Sequence, residues 1–132
     1  MNNDFVIYRD TIDAMEMAGV PYVVGGGIAV AAYGRVRSTK DIDLYVKPHD
    51  MARALEALKS AGFEVNPMSD VGWLAKGYKD GMTVDFILEN IGKIVVTDDT
   101  MARGRHMCVQ GCRMFIMSPE DLIFRKILAM RC

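Results

Sequence analysis

Residues Val23–Val46, VVGGGIAVAAYGRVRSTKDIDLYV, constrain the fold more tightly than any other part of the chain. A short apolar run meets three consecutive glycines, Gly25, Gly26 and Gly27. An Ala-rich stretch, Ile28–Tyr33, follows and ends at Gly34. Residues 35–40 are basic (Arg35, Arg37, Lys40), and Asp41-Ile42-Asp43-Leu44 then alternates acidic with apolar side chains. The order is strand, tight turn, helix, loop, strand. In the second strand, a period of two sends Asp41 and Asp43 to one face and Ile42 and Leu44 to the other, against a core.

The flanking sequence extends this alternation of helix and strand. Phe5, Tyr8, Ile12 and Met15 recur at steps of three and four. That spacing predicts a helix over residues 4–19 with Gly19 as its C-cap, leaving Val6 and Ile7 off the stripe. Pro21 starts the first strand, Tyr22–Val24. Pro48-His49-Asp50 opens a second amphipathic helix through Ala61, with Met51, Leu55 and Leu58 on one face and Gly62 at its end; His49 supports this helix start. Phe63–Val65 reads as a short strand. Val71–Ala75 and Met82–Leu88 read as strands joined around Lys79-Asp80-Gly81, Lys93–Val96 as another, and Met107–Val109 with Arg113–Met117 as a hairpin across Gly111. Ser118-Pro119-Glu120-Asp121 places Ser at the N-cap, Pro at N1 and acids in the first turn, predicting a helix to the chain end. With no repeat or linker, residues 1–132 read as one domain. Its class is α/β (α+β), a mixed twisted β-sheet packed by helices.

Composition narrows the functional classes. The formal net charge is −1, so there is no basic excess of the kind that marks a broad nucleic-acid surface, and nucleic acid is a disfavoured partner. The opening MNNDFVIYRD is polar and acidic, unlike a secretory leader, and no apolar run nears the ~18 residues of a membrane span. The cysteines, Cys108, Cys112 and Cys132, are odd in number. A cytoplasmic protein with reduced thiols is the expectation. Cys108 and Cys112 with His106 lack a fourth zinc ligand, and they read as strand residues flanking a Gln110-Gly111 turn.

The chemistry concentrates in the acids and glycines. Two carboxylates held together on a strand repel unless a cation sits between them, and a hard divalent ion such as Mg²⁺ is the natural partner. Asp85 lies between Val84 and Phe86 in a strand otherwise suited to burial, where an acid needs a reason. Beside the Ile42–Val46 strand it would complete a three-carboxylate cluster able to hold two metal ions around a phosphate. Otherwise it is an acid at a strand end, paired with Lys76 or Lys79. The glycine junction exposes backbone N–H groups and the positive end of a helix dipole, which suits phosphate. No Lys-Ser or Lys-Thr follows the glycines, so this is not a P-loop. Gly25-x-Gly27 begins like a dinucleotide fingerprint, but Val30 holds its sixth position and the acids lie at the start of their strand, not its end. A site for a metal-bound nucleoside triphosphate remains.

These residues resemble the DNA polymerase β-like nucleotidyltransferase superfamily. Its pattern is an apolar residue, glycines, a spacer, Asp-x-Asp, and a third Asp on a later strand. The likeness is greatest to small bacterial members of the minimal, antitoxin-like type, through Gly26-Gly27-Ile28-Ala29, Gly34, Arg37, Thr39, Asp41 and Asp43, and through the Ser118–Leu122 helix start with Lys126. The resemblance implies that Asp41 and Asp43 bind both metals, and that Asp85 binds one and acts as base toward the acceptor. Gly26 and Gly27 would hold the triphosphate, with Gly25 included because the run is one glycine longer than the motif. Arg37, Thr39 and Lys40 would complete the nucleotide side, with Arg35 nearby. Trp73 and Tyr78 are candidates for stacking on a base, and core packing suits Trp73 better. Related proteins continue beyond the last helix, whereas this chain stops at Cys132. An acceptor site supplied by a protein partner or a second copy is one expectation, and a shortened member the other. The expected function is Mg²⁺-dependent transfer of a nucleoside monophosphate from an NTP to a hydroxyl acceptor, a small molecule or a protein. The alternative is a catalytically silent nucleotidyltransferase-like binding module acting with a partner protein.

Overall fold

The computed structural model describes residues 3–33, 41–66, 74–87, 89–90, 94–109 and 111–130. Helix α1 (Asn3–Ala18) buries Ile7, Tyr8, Ile12 and Met15. Its buried stripe is wider than the spacing predicts. Ile7 is fully buried while Val6 is exposed, because a helix packed on a sheet covers more than one row of side chains. The Phe5 side chain lies outside the described residues.

The elements then run β1 (Val23–Gly25), α2 (Gly26–Tyr33), β2 (Asp41–Tyr45), a 3₁₀ turn (Pro48–Asp50), α3 (Met51–Ser60), β3 (Glu64–Asn66), β4 (Leu74–Lys79) and β5 (Met82–Ile87). The small strands β6 (Glu89–Asn90) and β7 (Ile94–Val95) follow, then α4 (Asp98–Arg103), β8 (Arg105–Val109), β9 (Cys112–Ile116) and α5 (Pro119–Met130). Strand β6 is not expected from the sequence, α2 begins two residues earlier than the Ala-rich stretch, and β4 and α4 also depart from expectation. Strand β4 continues past Ala75 through Lys79, because pairing with β5 along its whole length overrides the weak strand preference of Ala75-Lys76-Gly77. Helix α4 was not expected. Thr97 caps it, accepting from the Thr100 N–H at 3.4 Å while the Thr97 N–H donates to Thr100 Oγ1 at 3.2 Å.

Seven strands form one mixed sheet in the order β3-β4-β5-β2-β1-β9-β8. β2 runs parallel to β5 and antiparallel to β1, and β1 runs parallel to β9. One face carries Ile42, Leu44, Val84 and Phe86, all fully buried, in the main core with α1 and α3. Each such side chain contributes roughly 1.5–3 kcal/mol. The other face holds a smaller core of Val23, Tyr45, Val96 and Met117. Asp41, Asp43 and Asp85 alternate out of the main core onto this second face, next to the smaller core. Among the described residues no helix is long and apolar enough to cross a membrane.

Candidate active site

The strand register lays out the site. Asp43 pairs with Gly25 on one side and with Asp85 on the other. Asp85 pairs in turn with Lys76, and Lys76 with Asn66. Gly25, Asp43, Asp85, Lys76 and Asn66 thus form a single row across five strands. Residues paired across neighbouring strands present side chains to the same face, one strand spacing (~4.8 Å) apart. Asp41 shares that face two residues before Asp43 and pairs with Thr83. Asp43 and Asp85, 42 residues apart in sequence, are brought side by side because β2 and β5 are parallel neighbours.

The glycines have distinct local roles. Gly25 ends β1 under the Tyr45 ring, and a Cβ there would stand 2.5 Å from Tyr45 Cε1. Gly26 opens α2 at φ +60°, a conformation that disfavours side chains, and a Cβ there would run into the Asp43 carboxylate. Gly27 is exposed in the first turn. The glycine run therefore turns the chain directly over Asp43.

The electrostatics are uneven along the row. Burial first, then the charges of Asp85 and Asp41, push the Asp43 carboxyl up to about 6. Lys76 Nζ donates to Asp85 Oδ1 at 2.9 Å, and this hydrogen bond holds the ammonium above its ordinary range. Asp85 thus neighbours Asp43 and pairs with Lys76, and it lies inside β5 rather than at a strand end. Lys79 is engaged elsewhere, with Asp10 at 2.9 Å and the Ala61 carbonyl at 3.0 Å.

Carboxylate oxygens are donors that suit a hard cation such as Mg²⁺. Among the described residues no three carboxylate, imidazole or thiol groups yet stand close enough to enclose a metal ion. The row supplies donors of the right kind in adjacent positions, one of them carrying the Lys76 charge. Arg35, Arg37, Thr39, Lys40 and Trp73 lie outside the described residues. Tyr78 is partly exposed and pairs with Thr83, beside the row. Away from it, Cys108 is exposed and Cys112 buried on their hairpin, and His106 packs its ring on Phe115 at 4.9 Å between centroids. Lys76 is the member of the row that its sequence context marks only as an ion-pair partner for Asp85. Its signal was the alternation of buried Ala75 and Gly77 around it.

Below the row, the Arg125 guanidinium of α5 stacks over the Tyr45 ring at 5.1 Å. The α5 start is firmly built. The Asp121 N–H donates to Ser118 Oγ at 3.2 Å, Ser118 Oγ donates to Asp121 Oδ2 at 2.7 Å, and Arg103 grips the same carboxylate with two bonds of 2.9 Å.

The model of the nucleotidyl transferases of unknown function (DUF2204) matches residues 4–132. The chain belongs to this nucleotidyl transferase family, a family of enzymes. Solved structures share its fold. TM1012 of Thermotoga maritima, provisionally classed as a nucleotidyltransferase, superposes with a TM-score of 0.73 at 16% identity, over 96% of this chain and 84% of that one. ANT(2'')-Ia, in complex with adenylyl-2''-tobramycin, gives 0.72 at 17%, over 99% and 78%. The lincosamide antibiotic adenylyltransferase LnuA, lincomycin-bound, gives 0.64 at 14%, over 94% and 84%. No curated protein matches the chain.

Proposed function

We propose that this nucleotidyl transferase moves a nucleoside monophosphate from a nucleoside triphosphate to the hydroxyl of a small molecule or protein, in a Mg²⁺-dependent reaction. The observation that carries the reading is the register that sets Asp43 between Gly25 and Asp85. Asp41, Asp43 and Asp85 would hold the metal, which when bound neutralises charge developing on the phosphates. Gly26 and Gly27, at the start of α2, would offer N–H groups to the triphosphate, and Arg37, Thr39 and Lys40 would complete that side. Asp85 takes the proton of the acceptor hydroxyl as its oxygen bonds to the α-phosphorus and pyrophosphate departs. The adenylylated tobramycin held by ANT(2'')-Ia and the antibiotic specificity of LnuA make small-molecule acceptors the first to test.

Calorimetry with each of the common nucleoside triphosphates, with and without Mg²⁺, tests the reading. At least one should bind in a metal-dependent manner that Asp43→Asn abolishes. Incubation with radiolabelled nucleotides and a lysate of the source cell should then pass label to an acceptor, with a loss on the order of 10³-fold in Asp43→Asn, matching several kcal/mol of charge stabilisation. Binding indifferent to Mg²⁺ would overturn the proposal. Metal-dependent binding with no transfer of label would favour the silent binding module.

A further inference from the structure

Lys76 stands in the acidic row with a definite partner, and that position has a consequence for metal binding. Its neighbours in β4, Ala75 and Gly77, are buried in the main core, so alternation fixes Lys76 on the acid face. Among the five residues of the row it is the one cation. Its ammonium bonds Asp85 at 2.9 Å and is close enough to influence Asp43 and Asp41 as well. Lys79, the other lysine of the strand, is occupied by Asp10, so the two lysines are not interchangeable.

We infer that Lys76 is the resident counter-ion of the acidic row and sets how much Mg²⁺ the site requires, a role that rests on the metal-dependent reading above. A single ammonium offsets part of the repulsion among three carboxylates, yet it donates to their oxygens and cannot bridge them as a divalent ion does. A metal ion held by Asp85 would compete with the ammonium for the charge of that carboxylate, and the lysine would give way to it. The exchange is accessible because the lysine head sits on a flexible four-carbon stem and its side chain is 38% exposed. The metal-free row is thereby held together, and the same contact competes with the metal that replaces it. Lys76 is a positioning residue, acting through Asp85.

Thermal unfolding across a Mg²⁺ titration tests this without reference to turnover. The metal-free Lys76→Met protein should melt below wild type, and its Mg²⁺ midpoint should fall about tenfold, since the competing charge is gone. Lys76→Arg, which restores the cation, should return the midpoint to within about twofold of wild type. Lys79→Met should lower the melting temperature without moving the midpoint. A Lys76→Met midpoint equal to or above that of wild type overturns the inference while leaving the metal site standing. If wild type itself shows no Mg²⁺ response, or one that Asp43→Asn retains, the metal site and the inference fall together. Should Lys76→Met not fold, Lys76→Gln carries the same prediction.

Discussion

Asp43 and Asp121 are both partly buried aspartates, and their surroundings treat them in opposite ways. Burial alone would push the Asp121 carboxyl up, but hydrogen bonds from Arg103 and Ser118 outweigh it and hold the group below its ordinary range. Asp43 is desolvated and then faced with two further acids, and it is driven up to about 6. One charge is built into the fold; the other is opposed by it. A carboxylate that the fold works against is one that the proposed metal ion would relieve on binding. At the α5 start the sequence has settled its own electrostatics, whereas in the row it has left them incomplete.

The largest effect should come from disturbing the row through its backbone. Gly26→Ala must adopt φ +60° and meet the Asp43 carboxylate. It should cost about 3 kcal/mol in chemical denaturation and remove the Mg²⁺ response even where the protein still folds. Normal Mg²⁺-dependent stabilisation in that variant would break the link between turn and acid. Next is the settled side. Asp121→Ala loses the helix cap and both bonds from Arg103 and should cost about 2 kcal/mol, read as a lower denaturation midpoint, with nucleotide binding unchanged. Weaker nucleotide binding in that variant would show that the two regions are not separate.

The smallest effect is the most direct comparison of the two charges. The folded Asp43 carboxyl, at about 6, lies above the ordinary carboxylate value near 4. The native state therefore holds an extra proton between those values, and the stability this confers is lost as pH rises through them. Asp121 has the opposite sign, since its folded value is lowered. Its contribution is present above the ordinary value and is lost as pH falls further. In metal-free buffer, Asp43→Asn should gain on wild type by on the order of 1–2 kcal/mol between pH 4 and pH 7. Denaturant titrations at a series of pH values measure this difference. A gap that stays flat across that range would mean the Asp43 charge is already settled within the fold.

Much of the row was legible because it is written in short-range patterns. Asp41 and Asp43 alternate with Ile42 and Leu44, the glycines sit between a strand and an Ala-rich helix, and Ser118-Pro119 announces α5. Asp85 was legible as an acid out of place among Val84 and Phe86. What the sequence could not convey was the order of the sheet. Nothing local in Val24 or Ile116 indicates that they pair. The turn at Lys79-Asp80-Gly81 announces that β4 pairs with β5, but nothing local shows that β5 lies against β2, which makes Lys76 a member of the row. Helix α4 was missed for a different reason: Thr97-Asp98-Asp99-Thr100 carried a capping signal, but the helix is six residues long and too short for an apolar stripe. The wider burial of α1 follows from packing against a sheet and β4's length from pairing, neither of which is visible in spacing alone.

The contact between Gly25 and the Tyr45 ring also shapes how a lineage of such chains can change. A side chain at position 25 has no room while the ring is present, so the glycine can be replaced only after, or together with, a smaller residue at position 45. Removing the ring takes away the platform on which Arg125 lies, so the substitution passes its consequence on to α5. Three positions spread across most of the chain therefore share one evolutionary fate. Divergence in this corner should proceed in coordinated sets, with single replacements filtered out before they can be combined.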